Sequence, residues 1–349
     1  MNKKNFILLD VMKTGCWQQF KNFIDLNTMF HEKITVSHEI YEIMPKLIKN
    51  YDRKLAILDL PGISSYKGNE KFINDLKNRL SFLTNLGFKI ILACPWESLE
   101  NIQKIYKFEK ILLKDIHFQV WPGYINWFWF MMYEKFKNVK NIFNHDNKKY
   151  DFLYLNKQSR PHRKKLFDAL KKEQLLDNSL FSFLSPPYQL KLSATYELPW
   201  VDADNYPRYG SDQDIHEPQF NDCAFNLVSE TNDNNHDVFI TEKLWKPIIA
   251  QQIFVVHGNF AYLKKLREMG FRTFDSVFDE SYDQEPDPDK RIDKIVSLCR
   301  YLRTVDKSKI YRETQSIRQH NYNKFFDKTA LSNSINETVL GFLKFADRS

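Results

Sequence analysis

Cysteine is scarce in this sequence of 349 residues. The four cysteines, Cys16, Cys94, Cys223 and Cys299, lie far apart along the chain. The close cysteine pairs of structural zinc sites, redox motifs and dense disulfide frameworks are therefore missing. This spacing predicts a protein of a reducing compartment.

Glycine-rich phosphate-binding motifs are missing as well. The chain has only 9 glycines, and neither GxxxxGK[ST] nor GxGxxG occurs. Their absence disfavours P-loop kinases, sulfotransferases and enzymes with the dinucleotide fingerprint. The shares of hydrophobic residues, 43%, and of charged residues, 27%, are those of an ordinary globular protein, so a mainly disordered chain is excluded.

Long hydrophobic runs are also lacking. The apolar run at 6–9 ends at Asp10, which makes it shorter than a signal-peptide core. The most apolar stretch, 124–133, has about half of the roughly 20 residues that cross a bilayer. We therefore expect a cytoplasmic protein without a membrane span, and a buried or interfacial helix at 124–133.

Positive charge is concentrated in the first part of the chain. Residues 1–150 hold 23 Lys and Arg against 15 Asp and Glu, a net charge of +8, whereas residues 151–349 carry a net charge of −1. Such a field attracts anionic partners, including nucleic acid, acidic glycans and lipid headgroups. A solvated lysine-rich surface is the alternative interpretation.

Short apolar runs alternate with segments of helical periodicity. We predict strands at 6–12, 55–60, 88–93, 118–121, 150–155, 224–228 and 253–256. We predict helices between them at 69–86, 163–172, 241–250 and 260–269, and further helices at 291–303, 311–326 and 331–345. This alternation is typical of an α/β fold with parallel sheets and helical crossovers.

The domain prediction depends on the polar, basic stretch 135–149, which separates two such series. We predict an N-terminal domain at 1–145, a second α/β domain at 146–330 with a cleft between the two, and a final helix at 331–349 that packs back on the first domain. The aperiodic segment 184–220 is typical of a binding loop, a lid or a small subdomain.

The first candidate site follows the predicted strand 150–155. Asn156 directly follows this strand, and Arg160 and Arg163 stand where a helix begins. Loops at the carboxyl edge of an open α/β sheet and helix N-termini both favour anionic ligands, and arginine is suited to bidentate phosphate binding. The alternative is a solvated basic turn.

The second candidate site follows the predicted strand 224–228. Glu230 and Thr231 come two and three residues after this strand, and Thr241 is the predicted helix N-cap. Glu242 suits the positive end of the helix dipole, whereas Lys243 is unfavourable there unless an anion such as phosphate is bound. The alternative is a capped helix with a solvent-facing lysine.

The segment from Phe225 through Glu230 to Phe239-Ile240-Thr241-Glu242-Lys243-Leu244 resembles the donor-binding signature of alpha-1,3-fucosyltransferases, glycosyltransferase family 10. The segment that ends at Arg163 resembles another loop of that family. This sequence has Thr231 where the family has Asn, and Phe239 where it has Tyr. The resemblance implies a GT-B fold of two Rossmann-type domains and an inverting reaction that needs no metal.

The resemblance also implies roles for individual residues. Arg163 and Lys243 would bind the diphosphate of a nucleotide sugar, GDP-fucose being favoured, and Glu242 would bind its ribose. The acceptor would be a glycan or glycolipid hydroxyl next to the basic N-terminal domain, where a peripheral contact with an anionic membrane is a further expectation. The full predicted donor set comprises Asn156, Arg160, Arg163, Glu230, Thr231, Phe239, Thr241, Glu242 and Lys243.

An inverting transfer needs a carboxylate that deprotonates the acceptor hydroxyl. We predict Glu97, which follows the strand 88–93, with Asp59 and Asp10 as rivals at the ends of two other strands. Two Asp-x-Asp triplets, 202–204 and 212–214, are the alternative basis for a metal-held diphosphate, but we expect neither a metal nor a cofactor. The competing function is a non-catalytic nucleic-acid or anionic-surface binding protein that uses the basic half.

Overall fold

The computed structural model describes residues 6–10, 32–35, 53–59, 70–94, 116–120, 122–139, 143, 145, 147–183, 214–215, 217–233 and 238–346. The chain divides into two compact units. The first comprises Met1–Trp127 with Leu331–Ser349, and the second comprises Phe128–Ala330.

The first unit contains a five-stranded parallel sheet. Its strands are β1 (Phe6–Asp10), β2 (Glu32–Thr35), β3 (Arg53–Asp59), β4 (Lys89–Cys94) and β5 (Ile116–Val120). Their order is β2-β1-β3-β4-β5, and helix α1 (Glu70–Asn85) connects β3 to β4. The strand order reverses at β1, as in doubly wound α/β folds.

Parts of two long helices belong to this unit. Helix α2 (Pro122–Phe136) begins here, and most of helix α10 (Lys328–Ala346) lies here. The amide of Asn126 donates to the carbonyl oxygen of Ser334 at 3.1 Å and accepts from its hydroxyl at 2.7 Å. These two bonds join the start of α2 to α10.

The second unit contains a four-stranded parallel sheet. Its strands are β6 (Tyr150–Asn156), β7 (Leu180–Phe183), β8 (Cys223–Ser229) and β9 (Ile253–His257), in the order β7-β6-β8-β9. Every residue of β8 and β9 is buried. Their sequences are mainly apolar because the strands of a parallel sheet are covered on both faces, and Asn226, Ser229 and His257 are buried polar exceptions.

The second unit also contains helices that follow β6 in the chain. They are α3 (Pro161–Lys172), α4 (Glu217–Asp222), α5 (Glu242–Ile249), α6 (Tyr262–Glu268), α7 (Pro288–Thr304), α8 (Lys307–Glu313) and α9 (Gln315–Phe325). Gly270 lies just after the end of helix α6, and its φ of +82° turns the chain so that the N–H of Phe271 bonds the carbonyl oxygen of Leu266 at 3.2 Å. This glycine C-cap was predicted from the sequence.

Helix α5 is held in the second unit by aromatic packing. The ring centre of Trp245 lies 5.6 Å from the ring centres of both Trp129 and Phe325, and 5.3 Å from that of Phe271. Burying each large apolar side chain contributes about 1.5–3 kcal/mol. The apolar face of α5 is thereby anchored, which fixes the position of its polar start.

The α/β class and the two parallel sheets confirm the predicted fold class. Each of the seven predicted strands is present, with its ends displaced by at most two residues. The prediction missed β2 and β7, which have only four residues each and lie at sheet edges. The predicted helix 311–326 was wrong as a single element, because the chain breaks at Thr314 into α8 and α9.

The apolar stretch 124–133 lies inside α2, as predicted, with Trp129 and Met132 buried. Within the described ranges, no helix combines the length and the apolar character that crossing a bilayer requires.

Candidate functional site

The candidate site lies at the carboxyl edge of the second sheet. Strand β7, the next strand in the chain, lies on one side of β6, and β8 lies on the other side. The order in which strands are added to the sheet therefore reverses between β6 and β8. Open α/β sheets bind ligands outside the carboxyl ends of their strands at such a point. Asn156 ends β6, and Glu230 directly follows β8. The structure therefore brings the two predicted segments together.

Glu230 is the centre of this region, and its side chain is fully buried. One carboxylate oxygen, Oε1, accepts from the N–H of Thr241 at 3.0 Å and from the hydroxyl of Tyr262 at 2.7 Å. The other, Oε2, accepts from the Thr241 hydroxyl at 2.7 Å and from the N–H of Thr231 at 3.3 Å. An ionised carboxylate has the acceptor capacity for these four bonds.

The main chain of Glu230 is bound as well. Its carbonyl oxygen accepts from Nε and Nη2 of Arg163, at 3.2 and 2.9 Å, and lies 3.0 Å from Nε2 of His162. Its N–H donates to the carbonyl oxygen of His257 at 2.9 Å. Glu230 thus connects the start of α3, the end of β9 and the start of α5.

The start of α3 is basic, and no side chain caps it. Pro161 occupies its first turn, and Nη1 of Arg160 donates to the carbonyl oxygen of Thr231 at 2.8 Å. Nη1 of the buried Arg163 donates to the carbonyl oxygen of Gln158 at 3.3 Å. Burial lowers the pKa of Arg163, and the charge of Arg160 lowers it further. An anion bound here would relieve this accumulation of positive charge at a helix N-terminus.

The start of α5 carries an acidic side chain, Glu242, next to a basic one, Lys243. Thr241 is its N-cap, as predicted, and accepts from the N–H of Lys243 at 3.3 Å. The ammonium group of Lys243 donates to the Thr241 hydroxyl at 3.2 Å and to Oε1 of Glu242 at 2.7 Å. Since the Lys243 side chain is only 27% exposed and bonded within this cluster, it is not the freely solvated lysine of the alternative interpretation.

Glu242 is ionised in this setting. Burial alone raises its pKa, but the neighbouring Lys243 and Lys246 and local hydrogen bonds outweigh burial, so the pKa lies below its ordinary value. A buried carboxylate at a sheet edge can accept hydrogen bonds from a pair of sugar hydroxyls.

Three other predicted site residues lie around this centre. Phe239 is buried, its N–H donates to Oδ1 of Asn259 at 3.3 Å, and its ring meets that of Phe128 edge-on at 5.9 Å. Thr231 is buried beside Arg160. Neither amide atom of the buried Asn156 forms a hydrogen bond of normal geometry.

Two histidines lie next to the arginines. The rings of His162 and His257 are 5.5 Å apart, and the fully buried His257 has no hydrogen-bond partner at either ring nitrogen. Burial lowers its pKa well below the ordinary value, and the charges of His162, Arg291 and Arg163 lower it further. His257 is therefore a neutral imidazole.

Tyr262, whose hydroxyl binds Glu230, was not predicted as a site residue. Its ring packs against Gly258, where a Cβ would lie 2.9 Å from a ring carbon. Asp283 fixes the start of α6, because its carboxylate accepts from the N–H of Leu263 at 2.7 Å. The lone glycine after β9 is the sequence signal for this close approach.

Arg291, which holds two loops next to the site, was not predicted as a site residue either. This buried guanidinium donates to the carbonyl oxygens of Gly258 at 2.7 Å, Asp233 at 3.1 Å and Glu285 at 2.9 Å. It thereby joins the loop after β8 to the loop after β9.

The predicted catalytic base and most of the Asp-x-Asp residues lie outside the described residues. Glu97 and 202–204 are among them, whereas Asp214 pairs with Lys135. Asp10 and Asp59 end β1 and β3 at the carboxyl edge of the first sheet. Within the described ranges, no group of three or more His, Cys, Asp or Glu residues could hold a metal ion.

Comparison with solved structures shows a structural similarity. The chain is similar to a crystal structure of an alpha1,3-fucosyltransferase, with a TM-score of 0.44 and 11% identity, over 100% of this chain and 91% of that chain. The sequence matches no protein-family model and no curated protein. A structural similarity of this size does not by itself assign an activity, so the functional argument depends on the residues of the site.

Proposed function

We propose that the protein is a glycosyltransferase whose second unit binds the diphosphate of a nucleotide-sugar donor. The observation that carries the proposal is the meeting of two helix starts at Glu230, where Arg160, Arg163 and Lys243 gather at the carboxyl edge of a parallel sheet. Main-chain N–H groups at helix starts and cationic side chains together suit an anionic diphosphate.

Each residue has a role in this proposal. Lys243 and Arg163 bind the diphosphate, and Glu242 accepts bonds from the ribose hydroxyls. GDP-fucose is the favoured donor, because the segment around Lys243 resembles the alpha-1,3-fucosyltransferase signature. The acceptor is a hydroxyl group of a glycan or glycolipid.

The proposed reaction is an inverting displacement that needs no metal. The acceptor oxygen forms a bond to the anomeric carbon as the bond from that carbon to the diphosphate oxygen breaks. The acceptor proton goes to a carboxylate, for which we propose Glu97 ahead of Asp59 and Asp10. The cations at the two helix starts stabilise the negative charge that develops on the departing diphosphate.

A product-release assay tests this function. The protein is incubated with GDP-, UDP-, CDP- and ADP-sugars and a panel of glycan acceptors, with and without EDTA, and the released nucleoside diphosphate is measured. We expect release with one nucleotide class, unchanged by EDTA and lost in Lys243→Ala. Lys264→Ala is the matched control, since this exposed lysine also lies in the first turn of a helix.

Two results would contradict the proposal. Absence of release with every donor and acceptor, together with salt-sensitive binding to polyanions, would favour the non-catalytic binding protein. Release that survives Lys243→Ala would remove the site from the reaction. In an active preparation, near-normal turnover of Glu97→Gln would exclude Glu97 as the base and direct the search to Asp59 and Asp10.

A further inference from the structure

A directed chain of hydrogen bonds leads from Glu230 to Lys243. The Thr241 hydroxyl has one proton and two lone pairs, and both the N–H and the ammonium group of Lys243 can only donate. These two donors lie 3.3 and 3.2 Å from the hydroxyl oxygen. The hydroxyl proton must therefore point to Oε2 of Glu230, 2.7 Å away.

Glu230 itself has no acceptor site left for a ligand. Each of its carboxylate oxygens accepts two bonds from the protein, and the residue has 0% of its surface exposed. We propose that Glu230, which the sequence places among the donor-binding residues, is a positioning residue that orients the Lys243 ammonium group through Thr241. This inference rests on the proposed function, in which Lys243 binds the donor diphosphate.

The arrangement requires a carboxylate and not merely a side chain of the same shape. In Glu230→Gln, one orientation of the amide places its NH₂ group against the N–H of Thr231, and the other places it against the N–H of Thr241. In the first orientation the amide also donates to the Thr241 hydroxyl, which must then release one of its two bonds from Lys243. The second orientation leaves an oxygen facing the Thr241 hydroxyl but sets the amide NH₂ against the N–H of Thr241, which displaces the residue that carries this hydroxyl.

A double-mutant cycle tests the coupling. The affinity for GDP, UDP, CDP and ADP is measured by titration calorimetry for the wild type, Glu230→Gln, Lys243→Ala and the double variant. We expect Glu230→Gln to weaken binding of the preferred nucleotide roughly tenfold, the scale of one hydrogen bond to a charged group. The double variant should bind no more weakly than Lys243→Ala alone, because both changes remove the same interaction.

Tyr262→Phe is the control for a merely structural effect. It removes a buried hydrogen bond to Oε1 of the same carboxylate but leaves the bonds at Oε2 and Lys243 in place. We expect a lower melting temperature with an affinity within about twofold of the wild type. An equal loss of affinity in Tyr262→Phe and Glu230→Gln would overturn the positioning role.

The remaining outcomes distinguish a failure of the positioning role from a failure of the proposed function. If the wild type binds a nucleotide and Glu230→Gln binds it equally well, or if the two losses add in the double variant, the positioning role is wrong while the proposed function stands. If the wild type binds none of the four nucleotides, both fail.

If Glu230→Gln does not fold, Thr241→Ser and Thr241→Val take its place. The serine variant keeps the hydroxyl and should retain binding, whereas the valine variant should lose it roughly tenfold. Equal affinity of these two variants would overturn the inference.

Discussion

The starts of helices α3 and α5 follow two neighbouring strands but are held in different ways. No side chain caps α3, whose basic residues donate to main-chain carbonyl oxygens. Helix α5 has a side-chain cap, Thr241, which is itself bonded to a buried carboxylate. Both starts converge on Glu230, α3 at its carbonyl oxygen and α5 at its side chain.

This difference suggests a division of tasks between the two helix starts. At α3 the guanidinium groups of Arg160 and Arg163 add positive charge to the positive end of a helix dipole. At α5 an ionised Glu242 lies beside Lys243, so an acceptor and a cation are offered together. A ligand with both anionic groups and hydroxyl groups, such as a nucleotide sugar, matches this pair.

Among changes at the two helix starts, we expect the largest loss of stability from replacing Arg163 at the start of α3. Arg163→Ala removes three bonds from a buried guanidinium to the carbonyl oxygens of Glu230 and Gln158. We expect the free energy of unfolding to fall by about 3 kcal/mol in urea denaturation, because these acceptors lose charged donors. Arg163→Lys should recover only part of this loss, since an ammonium group lacks the planar fork. A loss below about 1 kcal/mol would contradict this account of α3.

We expect the next largest loss of stability from replacing Thr241, the N-cap of α5. Thr241→Val removes both the cap and the hydroxyl bond to Glu230, and we expect it to lower the free energy of unfolding by about 2 kcal/mol. Thr241→Ser keeps both bonds and should lose much less. Thermal or urea unfolding of the pair measures the difference, and equal stability of the two variants would show that the hydroxyl does not hold α5.

A pH effect should follow from His257, whose ring lies 5.5 Å from that of His162 at the start of α3. Its pKa in the folded protein lies well below its ordinary value, so the unfolded chain binds more protons below about pH 6.5. Stability should therefore fall as the pH drops below about 6.5, by on the order of 1 kcal/mol at pH 5.5 from this residue. His257→Phe should show a correspondingly smaller fall in melting temperature between pH 7 and pH 5.5. An unchanged pH profile would show that this histidine is not held neutral.

The smallest effect is expected on the exposed side of α3. Lys165 pairs with Asp289 at 2.6 Å, and both side chains are largely exposed. Surface ion pairs of this kind contribute little to stability, so Lys165→Ala should leave the melting temperature unchanged within error. A clear drop would mean that α3 depends on its exposed side as well as on Arg163.

Local patterns were sufficient to predict the α/β class, the Thr241 N-cap and the Gly270 C-cap, because each depends on a few consecutive residues. The strand β7 was missed because its four residues at a sheet edge carry little periodicity. The role of Glu230 could not be predicted either. Its partners Thr241 and Tyr262 lie 11 and 32 residues away, and only the tertiary fold brings them to one carboxylate.

The most direct test of the central claim is the binding of GDP, UDP, CDP and ADP to the purified protein, measured by thermal shift and calorimetry. A ligand that binds only the folded state must raise its melting temperature. We predict that one of these nucleotides binds and stabilises the wild type, that Lys243→Ala loses this binding, and that Lys264→Ala retains it. Absence of binding by all four, or unchanged binding in Lys243→Ala, would contradict the claim that the starts of α3 and α5 form a diphosphate site.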